Sequence, residues 1–503
     1  MRTFETIVII LIFITLIGFT ISKKKKPFWF RFLPGVAIVC TGIHLLFEGY
    51  RWQMVPAYVF TVFLFIITLR TLFTVAKTQN YSLSGKRKTI KIIGIVFGFI
   101  LFLIVIIPPI LFPVFTLPTP SGRYAVGTKY FNWMDTSRSD LHTTNLDDFR
   151  SISLQMWYPS EYSEKSKPVP YISKEAAVCW ARSWKLNPEF ALTHFSLVQT
   201  HSYYNTRPVI LKGKPFPVIL FSPSGNISYN TSLFEELASH GYVILCVGHP
   251  HWCPYHFNEN GQINCTGTND PYYERLWEEE TSDIVNKTKE GLTTAKNLGE
   301  KESFQQKLNV KMPLAVEDIL LWAEDYDFAI QEIEKMNSDD NPFKGMLDLE
   351  RIGVMGLSKG GASAGQFCVT DPRCRAGVNL GGFMFGAIAD KTINRPFLFM
   401  EHIEPWCEDC LPVNDHIYSK VANSAYMVQI KGARHFNFTD LSLAGPFLEM
   451  IGLIGPISGD EFIRIQNAYV LAFFDKHLKG VEEPLLNGSS KDYSEVVFKS
   501  RHP

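Results

Sequence analysis

The stretch RIGVMGLSKGGASAG, residues Arg351–Gly365, places one serine between a run of apolar residues and a run of very small ones. The residues before Ser358 are typical of a buried strand, and those after it are typical of a closely packed helix. A G-x-S-x-G sequence at a strand-to-helix junction predicts a sharp turn that exposes the serine hydroxyl. Such a turn leaves no room for neighbouring side chains, and Gly356, Gly360 and Gly361 provide that room. Ser358 is therefore the candidate nucleophile.

Strand and helix patterns alternate on both sides of this turn. Near-continuous apolar runs, typical of strands buried on both faces, occur at FPVILFS, YVILCVGH, RIGVMGLS, AGVNLGG, PFLFMEH and AYMVQIKG. With the leading antiparallel strand SISLQMWYP they predict an α/β fold with a mostly parallel, doubly wound sheet over residues 118–503. Two polar, aromatic-rich insertions near 171–205 and 251–312 are expected to be caps over the site.

The first 117 residues differ in composition from the rest and are dominated by Ile, Leu, Phe and Val. A bilayer core of ~30 Å takes about 20 helical residues, and four apolar stretches approach or exceed that length. They are Phe4–Ser22, Phe32–Phe47, Met54–Phe73 and Ile92–Leu117. Residues 1–117 are therefore predicted to form a transmembrane region of about four helices.

Basic loops predict how this region is oriented. Lys23–Lys26 separates the first two apolar stretches, and Lys77, Lys86, Arg87, Lys88 and Lys91 separate the last two. Since basic loops stay on the cytoplasmic side, the residues after Leu117 should lie outside. The sequence thus predicts a multi-pass protein of the cell membrane whose catalytic domain is extracytoplasmic.

Charge and cysteine content limit the possible partners. The chain has 49 basic and 49 acidic residues, so a nucleic-acid partner is not expected. Cys407 and Cys410 form a Cys-x-x-Cys pair without a convincing second pair, so neither a metal nor another cofactor is expected. Cys253 and Cys265 flank one polar loop, and an extracytoplasmic location makes a disulfide between them a candidate. Nothing in the sequence indicates an oligomeric state.

A serine nucleophile needs a base and an oxyanion hole. In this fold the histidine follows the later strands, and His435 lies in IKGARHFNFTD, directly after the AYMVQI run. The amide of Lys359, the residue after the nucleophile, and that of Gly225 in FSPSGN are the expected oxyanion donors. The Lys359 side chain is expected to point into solvent.

Several segments together resemble the plasma-type platelet-activating-factor acetylhydrolases and their bacterial relatives. They are PTPSGRYAVGTKYFNWMD, LQMWYPS, FPVILFSPSG, LASHGYVI, GLSKGGA and KGARHFNFTD, within roughly Thr119 to Gly480. The resemblance implies an α/β-hydrolase fold and calcium-independent hydrolysis of short or oxidised acyl esters of phospholipids, as by a 1-alkyl-2-acetylglycerophosphocholine esterase. It also implies a Ser-Asp-His triad, and Ser358 and His435 match two of its members.

The acid of that triad does not match. Where the family has an aspartate after the sixth strand, this chain reads NLGGFMFG, with Gly381 at that position. The acid is expected instead after the next strand, in PFLFMEHIEPW, at Glu401 or Glu404, with Asp390 as a third candidate. Two other readings stay open: an esterase acting on non-lipid esters or polyesters, and a catalytically impaired lipid-binding or signalling membrane protein.

Overall fold

A sheet of eleven strands forms the centre of the larger part of the chain. The computed structural model describes residues 2–21, 27–75, 85–143, 145, 147–162, 166–257, 262–266, 270–403 and 410–502. The strands are β1 (Ala125–Ser139), β2 (Phe149–Ser160), β3 (Pro168–Pro170), β4 (Gln199–Tyr204), β5 (Phe216–Ser222), β6 (Val243–Gly248), β7 (Tyr255–Phe257), β8 (Ile263–Cys265), β9 (Leu347–Leu357), β10 (Cys374–Leu380), β11 (Phe397–His402), β12 (Ala425–Ile430) and β13 (Val496–Arg501). The α-helices are α1 (Thr3–Thr20), α2 (Leu33–Phe47), α3 (Val55–Val75), α4 (Gly85–Leu111), α5 (Lys174–Ser183), α6 (Thr231–Ser239), α7 (Pro271–Thr281), α8 (Asp283–Thr294), α9 (Leu298–Lys311), α10 (Pro313–Ser338), α11 (Lys359–Thr370), α12 (Asp415–Lys420), α13 (Pro446–Met450) and α14 (Gly459–Phe474).

Six neighbouring strands of this sheet run parallel, in the order β6-β5-β9-β10-β11-β12. On one side β13 pairs antiparallel with β12, and on the other β2 pairs antiparallel with β6. Beyond β2 the sheet continues through β1, β4 and β3, while β7 and β8 pair separately. The predicted α/β fold with a mostly parallel sheet is confirmed.

The parallel strands are buried along nearly their whole length, which is why their sequences are almost continuously apolar. All seven residues of β5 and all six of β6 are buried. Because the carboxyl ends of parallel strands lie at one edge of a sheet, the loops after β5, β9, β10 and β12 meet there. Those loops carry Gly225, Ser358, Gly381 and His435.

The chain divides into two compact units. The smaller unit comprises Met1–Phe115 together with the short segments Thr193–Val198 and Ala444–Ile451. The larger unit comprises Thr116–Leu192, Gln199–Leu443 and Gly452–Pro503 and contains the whole sheet. The predicted roles of residues 1–117 as a membrane region and 118–503 as a catalytic domain with two caps stay predictions.

Three helices of the smaller unit are long and apolar enough to cross a membrane: Thr3–Thr20, Trp52–Arg70 and Ile92–Leu111. The apolar helix Leu33–Phe47 has 15 residues, fewer than the about 20 that a bilayer core requires. Among the described residues, three helices are therefore long enough to span a bilayer, whereas the sequence predicts about four. The basic loop Lys23–Lys26 lies outside those residues.

A buried ionic cluster joins the helices of the smaller unit near the chain's N-terminus. The Arg51 guanidinium donates to both carboxylate oxygens of Glu5 at 2.7 Å. His44 contacts the Tyr58 hydroxyl through Nε2 at 2.7 Å and Glu48 through Nδ1 at 2.9 Å. Glu5, His44 and Glu48 lie close enough together to hold a metal ion. Their ligand atoms are already engaged, so the cluster is explained as an internal ion-pair network.

The candidate disulfide between Cys253 and Cys265 is not formed. Cys265 is bonded to Cys179, and Cys253 is a free, buried thiol. The bond joins α5 of the first insertion to β8 of the second, a pairing that no sequence spacing indicates. A second disulfide links Cys368 to Cys374.

Candidate active site

Ser358 lies at the turn between β9 and α11 in a strained conformation, with φ of 54° and ψ of −122°. A positive φ is rare for a residue with a side chain and marks positions that the surrounding structure holds in place. The Ser358 amide donates to the carbonyl of Leu380 on the neighbouring strand at 2.9 Å. The Ser358 carbonyl accepts from the Gly361 amide at 2.9 Å. These bonds fix the turn from the sheet side and from the helix side.

The small residues around this turn are required by close backbone contacts. A Cβ at Gly356 would collide with the carbonyl of Gly360, and a Cβ at Gly360 would collide with the carbonyl of Ser222. A Cβ at Gly361 would meet the side-chain amide of Asn379. The expectation that these three glycines leave room for the turn is confirmed.

The two residues whose amides are expected to form the oxyanion hole are Lys359, the neighbour of Ser358 in sequence, and Gly225, which lines a cavity with Ser358. Lys359 is the first residue of α11, so its N–H has no partner within the helix. Gly225 follows β5 with φ of 122° and lines a cavity together with Ser358. The N-terminus of α11 favours negative charge at this point. The assignment of Gly225 and Lys359 as oxyanion donors stays a prediction.

The prediction that the Lys359 side chain points into solvent is wrong. The side chain is buried, with Nζ 2.8 Å from an Asp318 oxygen and 3.2 Å from a Glu280 oxygen. Nζ also lies 3.5 Å above the centre of the Trp252 ring, a cation–π contact. Burial alone would lower the pKa of Lys359, but the two carboxylates raise it, so the ammonium stays charged. Glu280 and Trp252 belong to the second insertion, which covers the lysine.

Two cavities meet at the nucleophile turn, and Ser358 and His435 line both. The aromatic cavity has a volume of about 480 Å³, and its aromatic walls are Trp180, Trp184, Tyr229, Trp252, Tyr273, Trp277 and Phe436. The mixed cavity has a volume of about 390 Å³. Besides apolar walls and His435, it is lined by the charged or titratable residues Glu280, Lys289, Lys359, Glu401 and His402. The first insertion supplies walls to the aromatic cavity, and the second supplies walls to both.

His435 begins a short 3₁₀ turn, His435–Phe438, in the loop after β12. Burial lowers the pKa of its imidazole to about 4, and the nearby His402 and Lys289 act in the same direction. The backbone carbonyl of Gly381 opposes them, because a carbonyl oxygen near the ring favours its protonated form. At neutral pH the ring is therefore uncharged, which is the form that accepts a proton from a hydroxyl.

Glu401 does not contact His435 in the way that an orienting carboxylate requires. It is buried at the end of β11, and its carboxylate accepts hydrogen bonds from the amides of Val413 and Asn414, both at 3.0 Å. The Asn414 side chain donates to it at 2.7 Å. Glu401 thus lines the mixed cavity while its oxygens hold the loop after β11, and the expected Glu401–His435 bond is not observed.

Among the residues that the structure describes, no carboxylate contacts the ring of His435, and the group that favours its protonated form is a backbone carbonyl. That carbonyl belongs to Gly381, the position at which the resemblance to the family leads us to expect an aspartate. Gly381 has φ of +63°, and a Cβ there would lie 2.5 Å from the ring of Phe438. Asp390 is exposed and lines neither cavity, and Glu404 lies outside the described residues.

A second serine, missed in the sequence, is linked to a histidine and an aspartate. Ser222 Oγ lies 2.7 Å from His249 Nε2, and His249 Nδ1 lies 2.8 Å from Asp325 Oδ2. All three side chains are fully buried, so an ester does not reach Ser222. Arg150 donates twice to Asp325, at 2.7 and 2.8 Å, and Trp322 stacks on His249 at 4.2 Å. The set joins β5, β6 and α10 and supports the loop that carries Gly225.

Comparison with known proteins identifies the family. The family description "Platelet-activating factor acetylhydrolase, isoform II" matches residues 110–490, more than half of the chain. A "Probable 1-alkyl-2-acetylglycerophosphocholine esterase" of Arthroderma benhamiae is 23% identical, with 76% of this chain and 94% of that protein covered. The platelet-activating factor acetylhydrolase of Bos taurus is 24% identical, over 72% of this chain and 77% of that protein.

Two further comparisons agree with this result. The platelet-activating factor acetylhydrolase of Cavia porcellus is 26% identical, but the match covers 53% of this chain and 58% of that protein. A solved ferulic acid esterase from Streptomyces cinnamoneus has a TM-score of 0.57 at 24% identity and covers 77% of this chain and 99% of its own. That likeness supports the α/β-hydrolase fold. The chain belongs to the platelet-activating factor acetylhydrolase family, isoform II, and is a carboxylic ester hydrolase of that family.

Proposed function

We propose that Ser358 is the nucleophile of this ester hydrolase and His435 its general base. The observation that carries the proposal is the strained turn at Ser358, which opens on two cavities that His435 also lines. The Ser358 oxygen attacks the ester carbonyl while His435 takes the hydroxyl proton. The amides of Gly225 and Lys359 stabilise the oxyanion, and His435 returns the proton to the leaving alcohol. Water then hydrolyses the acyl-enzyme by the same steps in reverse.

We infer that the carbonyl of Gly381 takes the orienting role of the missing acid. An orienting group has to accept the N–H of the imidazole and thereby fix the tautomer whose other nitrogen faces the serine. A carbonyl does this without a negative charge, so the imidazolium formed during attack is stabilised less than in a complete triad. Glu404 is the rival for this role, and replacing it with glutamine separates the two possibilities.

The proposed substrate is an acyl ester of a phospholipid with a short or oxidised chain. Support comes from the family, from the name of the Arthroderma benhamiae relative, and from apolar helices that suit a membrane anchor. In the smaller unit, the segment Ala444–Ile451 begins nine residues after His435 and exposes Met450 and Ile451 at 72% and 53%. Exposed apolar residues so close in sequence to the base favour a substrate that arrives from lipid.

The proposed location is the cell membrane, with several spans and the catalytic domain outside. Basic residues between the apolar helices support this orientation through the positive-inside tendency. The disulfides Cys179–Cys265 and Cys368–Cys374 are independent support, because such bonds persist in oxidising compartments.

Covalent labelling with a fluorophosphonate tests the proposed nucleophile. We expect one adduct per chain, mapped by mass spectrometry to the peptide that contains Ser358 and absent from Ser358→Ala. Ser222 is an internal control, because it also contacts a histidine but is fully buried and should carry no adduct. An unlabelled wild-type chain would contradict the proposal and favour the catalytically impaired reading.

Substrate class is tested by comparing two acetyl esters. We expect acetate release from 1-alkyl-2-acetylglycerophosphocholine in mixed micelles to exceed turnover of p-nitrophenyl acetate in kcat/KM. The aromatic cavity of about 480 Å³ also suits a compact aromatic ester, so the opposite order would favour a non-lipid esterase.

The rate of ester hydrolysis should be maintained at low pH. Since the pKa of His435 is lowered to about 4, the uncharged base is the main form down to about pH 5. As pH falls through 4 the ring becomes protonated and kcat/KM for a neutral nitrophenyl ester should fall. The measurement is a pH–rate profile in which recovery of the rate at pH 7 excludes unfolding. A midpoint at or above the ordinary value of 6.5 would contradict the buried, uncharged base.

A further inference from the structure

Lys289 is a charged residue of the mixed cavity that the proposed mechanism does not use. It lies on α8, in the second insertion, and lines the cavity together with Ser358 and His435. Its Nζ donates to the backbone carbonyl of Glu280 at 3.0 Å. Burial lowers the pKa of Lys289, so the ammonium is held there against a desolvation cost.

The carboxylates near Lys289 are bound to other groups. Glu280 directs its carboxylate to Nζ of Lys359 at 3.2 Å, and Glu401 directs its own to the Val413 and Asn414 amides. Within the described chain, no carboxylate forms an ion pair with Lys289, whose hydrogen-bond acceptor is a neutral carbonyl. A partly buried ammonium of this kind, facing a cavity, is a ready partner for an anion.

We propose that Lys289 is an anion-binding subsite, which takes a phosphate or carboxylate group carried by the ester substrate. The inference rests on the proposed function, because the subsite adjoins the proposed nucleophile and base. A phosphate on the alcohol part and a carboxylate at the end of an oxidised acyl chain share the required chemistry. Either group would lie in the mixed cavity while the scissile carbonyl lies at Ser358.

Such an anion would also change the electrostatics around His435. The ammonium of Lys289 is close enough to oppose protonation of the ring, and the described residues supply no carboxylate partner to offset it. An anion held on Lys289 would compensate that positive charge when the imidazolium forms during attack. The substrate would thereby bring the negative charge that the family aspartate supplies in a complete triad. Anionic esters should therefore show a higher kcat as well as a lower KM than their neutral partners.

Two matched ester pairs test the subsite in the full-length protein and identify the anion. One pair is p-nitrophenyl glutarate, which has a terminal carboxylate, and neutral p-nitrophenyl pentanoate. The other is the acetate ester of glycerol 3-phosphate and the acetate ester of glycerol. In the wild type we expect a preference for the anionic member of at least one pair. Lys289→Met should lower kcat/KM for that anionic ester by roughly 10- to 100-fold and leave its neutral partner within about threefold.

Control variants separate the subsite from a structural role at the end of α7. Lys287→Met removes an exposed lysine of the same helix and should change neither ester, while Lys289→Arg should retain most of the preference. Equal losses for the neutral and anionic esters in Lys289→Met would overturn the proposal and leave a helix-capping role. Failure of both ester pairs to show a preference for the anionic member would also overturn it.

A binding measurement keeps this inference distinct from the proposed function. Titration calorimetry with glycerol 3-phosphate and with glutarate should show binding to the wild type that weakens by about tenfold or more in Lys289→Met. Binding without turnover of any ester would support the subsite and contradict the proposed nucleophile and base. Turnover of neutral esters without binding of either anion would support the proposed nucleophile and base and contradict the subsite.

Discussion

Replacing His435 with glutamine is expected to reduce kcat for ester hydrolysis by roughly 10⁴- to 10⁶-fold, with a much smaller change in KM. Glutamine retains a hydrogen-bonding group of similar size but accepts no proton from Ser358. The residual rate should come from the oxyanion amides and from substrate binding. Steady-state kinetics with a soluble nitrophenyl ester, on protein whose thermal unfolding matches the wild type, measure this change. A loss below about tenfold would exclude His435 as the base.

Glu404→Gln is the control that decides how His435 is oriented. If the Gly381 carbonyl is the partner, this variant should retain kcat within a few-fold of wild type, since no carboxylate is needed. A fall of about 10⁴-fold, as expected for a triad acid, would assign that role to Glu404. Glu401→Gln is less informative, because the Glu401 carboxylate holds three amide hydrogens of the loop after β11.

Asp325→Ala is expected to cause the largest loss of stability, about 3–5 kcal/mol in the free energy of unfolding. Asp325 is fully buried and accepts hydrogen bonds from Arg150 and His249 and, at 3.0 Å, from Arg138. Burial alone would raise the pKa of Asp325, but Arg150 and His249 hold it well below its usual range. Removal of the Asp325 carboxylate would leave the buried Arg150 guanidinium without its closest counter-charge.

Asp327→Ala is the matched control for this prediction. Asp327 lies on the same helix, α10, and pairs with Arg373, but its side chain is 46% exposed. A solvent-screened pair of this kind contributes about 0–1 kcal/mol. Denaturant unfolding of the two full-length variants, monitored by tryptophan fluorescence, compares them directly. Equal unfolding midpoints would show that the buried network is not the source of stability that its geometry indicates.

The parts of the fold that sequence predicts well are those set by short-range patterns. The six parallel strands were predictable because strands buried on both faces are almost continuously apolar. The turn at Ser358 was predictable because only glycine fits beside it. By contrast, β1 and β13 at the flanks of the sheet consist mostly of half-buried and exposed residues and have no comparable apolar run.

The less predictable features depend on contacts between distant segments. The burial of Lys359 depends on Asp318 and Glu280, which lie about 40 and 80 residues earlier in the chain. The Cys179–Cys265 bond likewise joins two insertions across 86 residues. Local sequence around any one of these residues is typical of an exposed position. Their partners become evident only when the insertions are folded over the sheet.

The geometry at Gly381 restricts which residues this position can accept. An aspartate introduced there would need a backbone with φ of +63°, and its Cβ would lie 2.5 Å from the ring of Phe438. An aspartate at this position therefore needs a second substitution, a smaller residue in place of Phe438. Because Phe438 belongs to the same 3₁₀ turn as His435, that second change would also alter the segment that carries the proposed base. A single Gly381→Asp substitution is thus expected to disturb the site rather than to complete a triad.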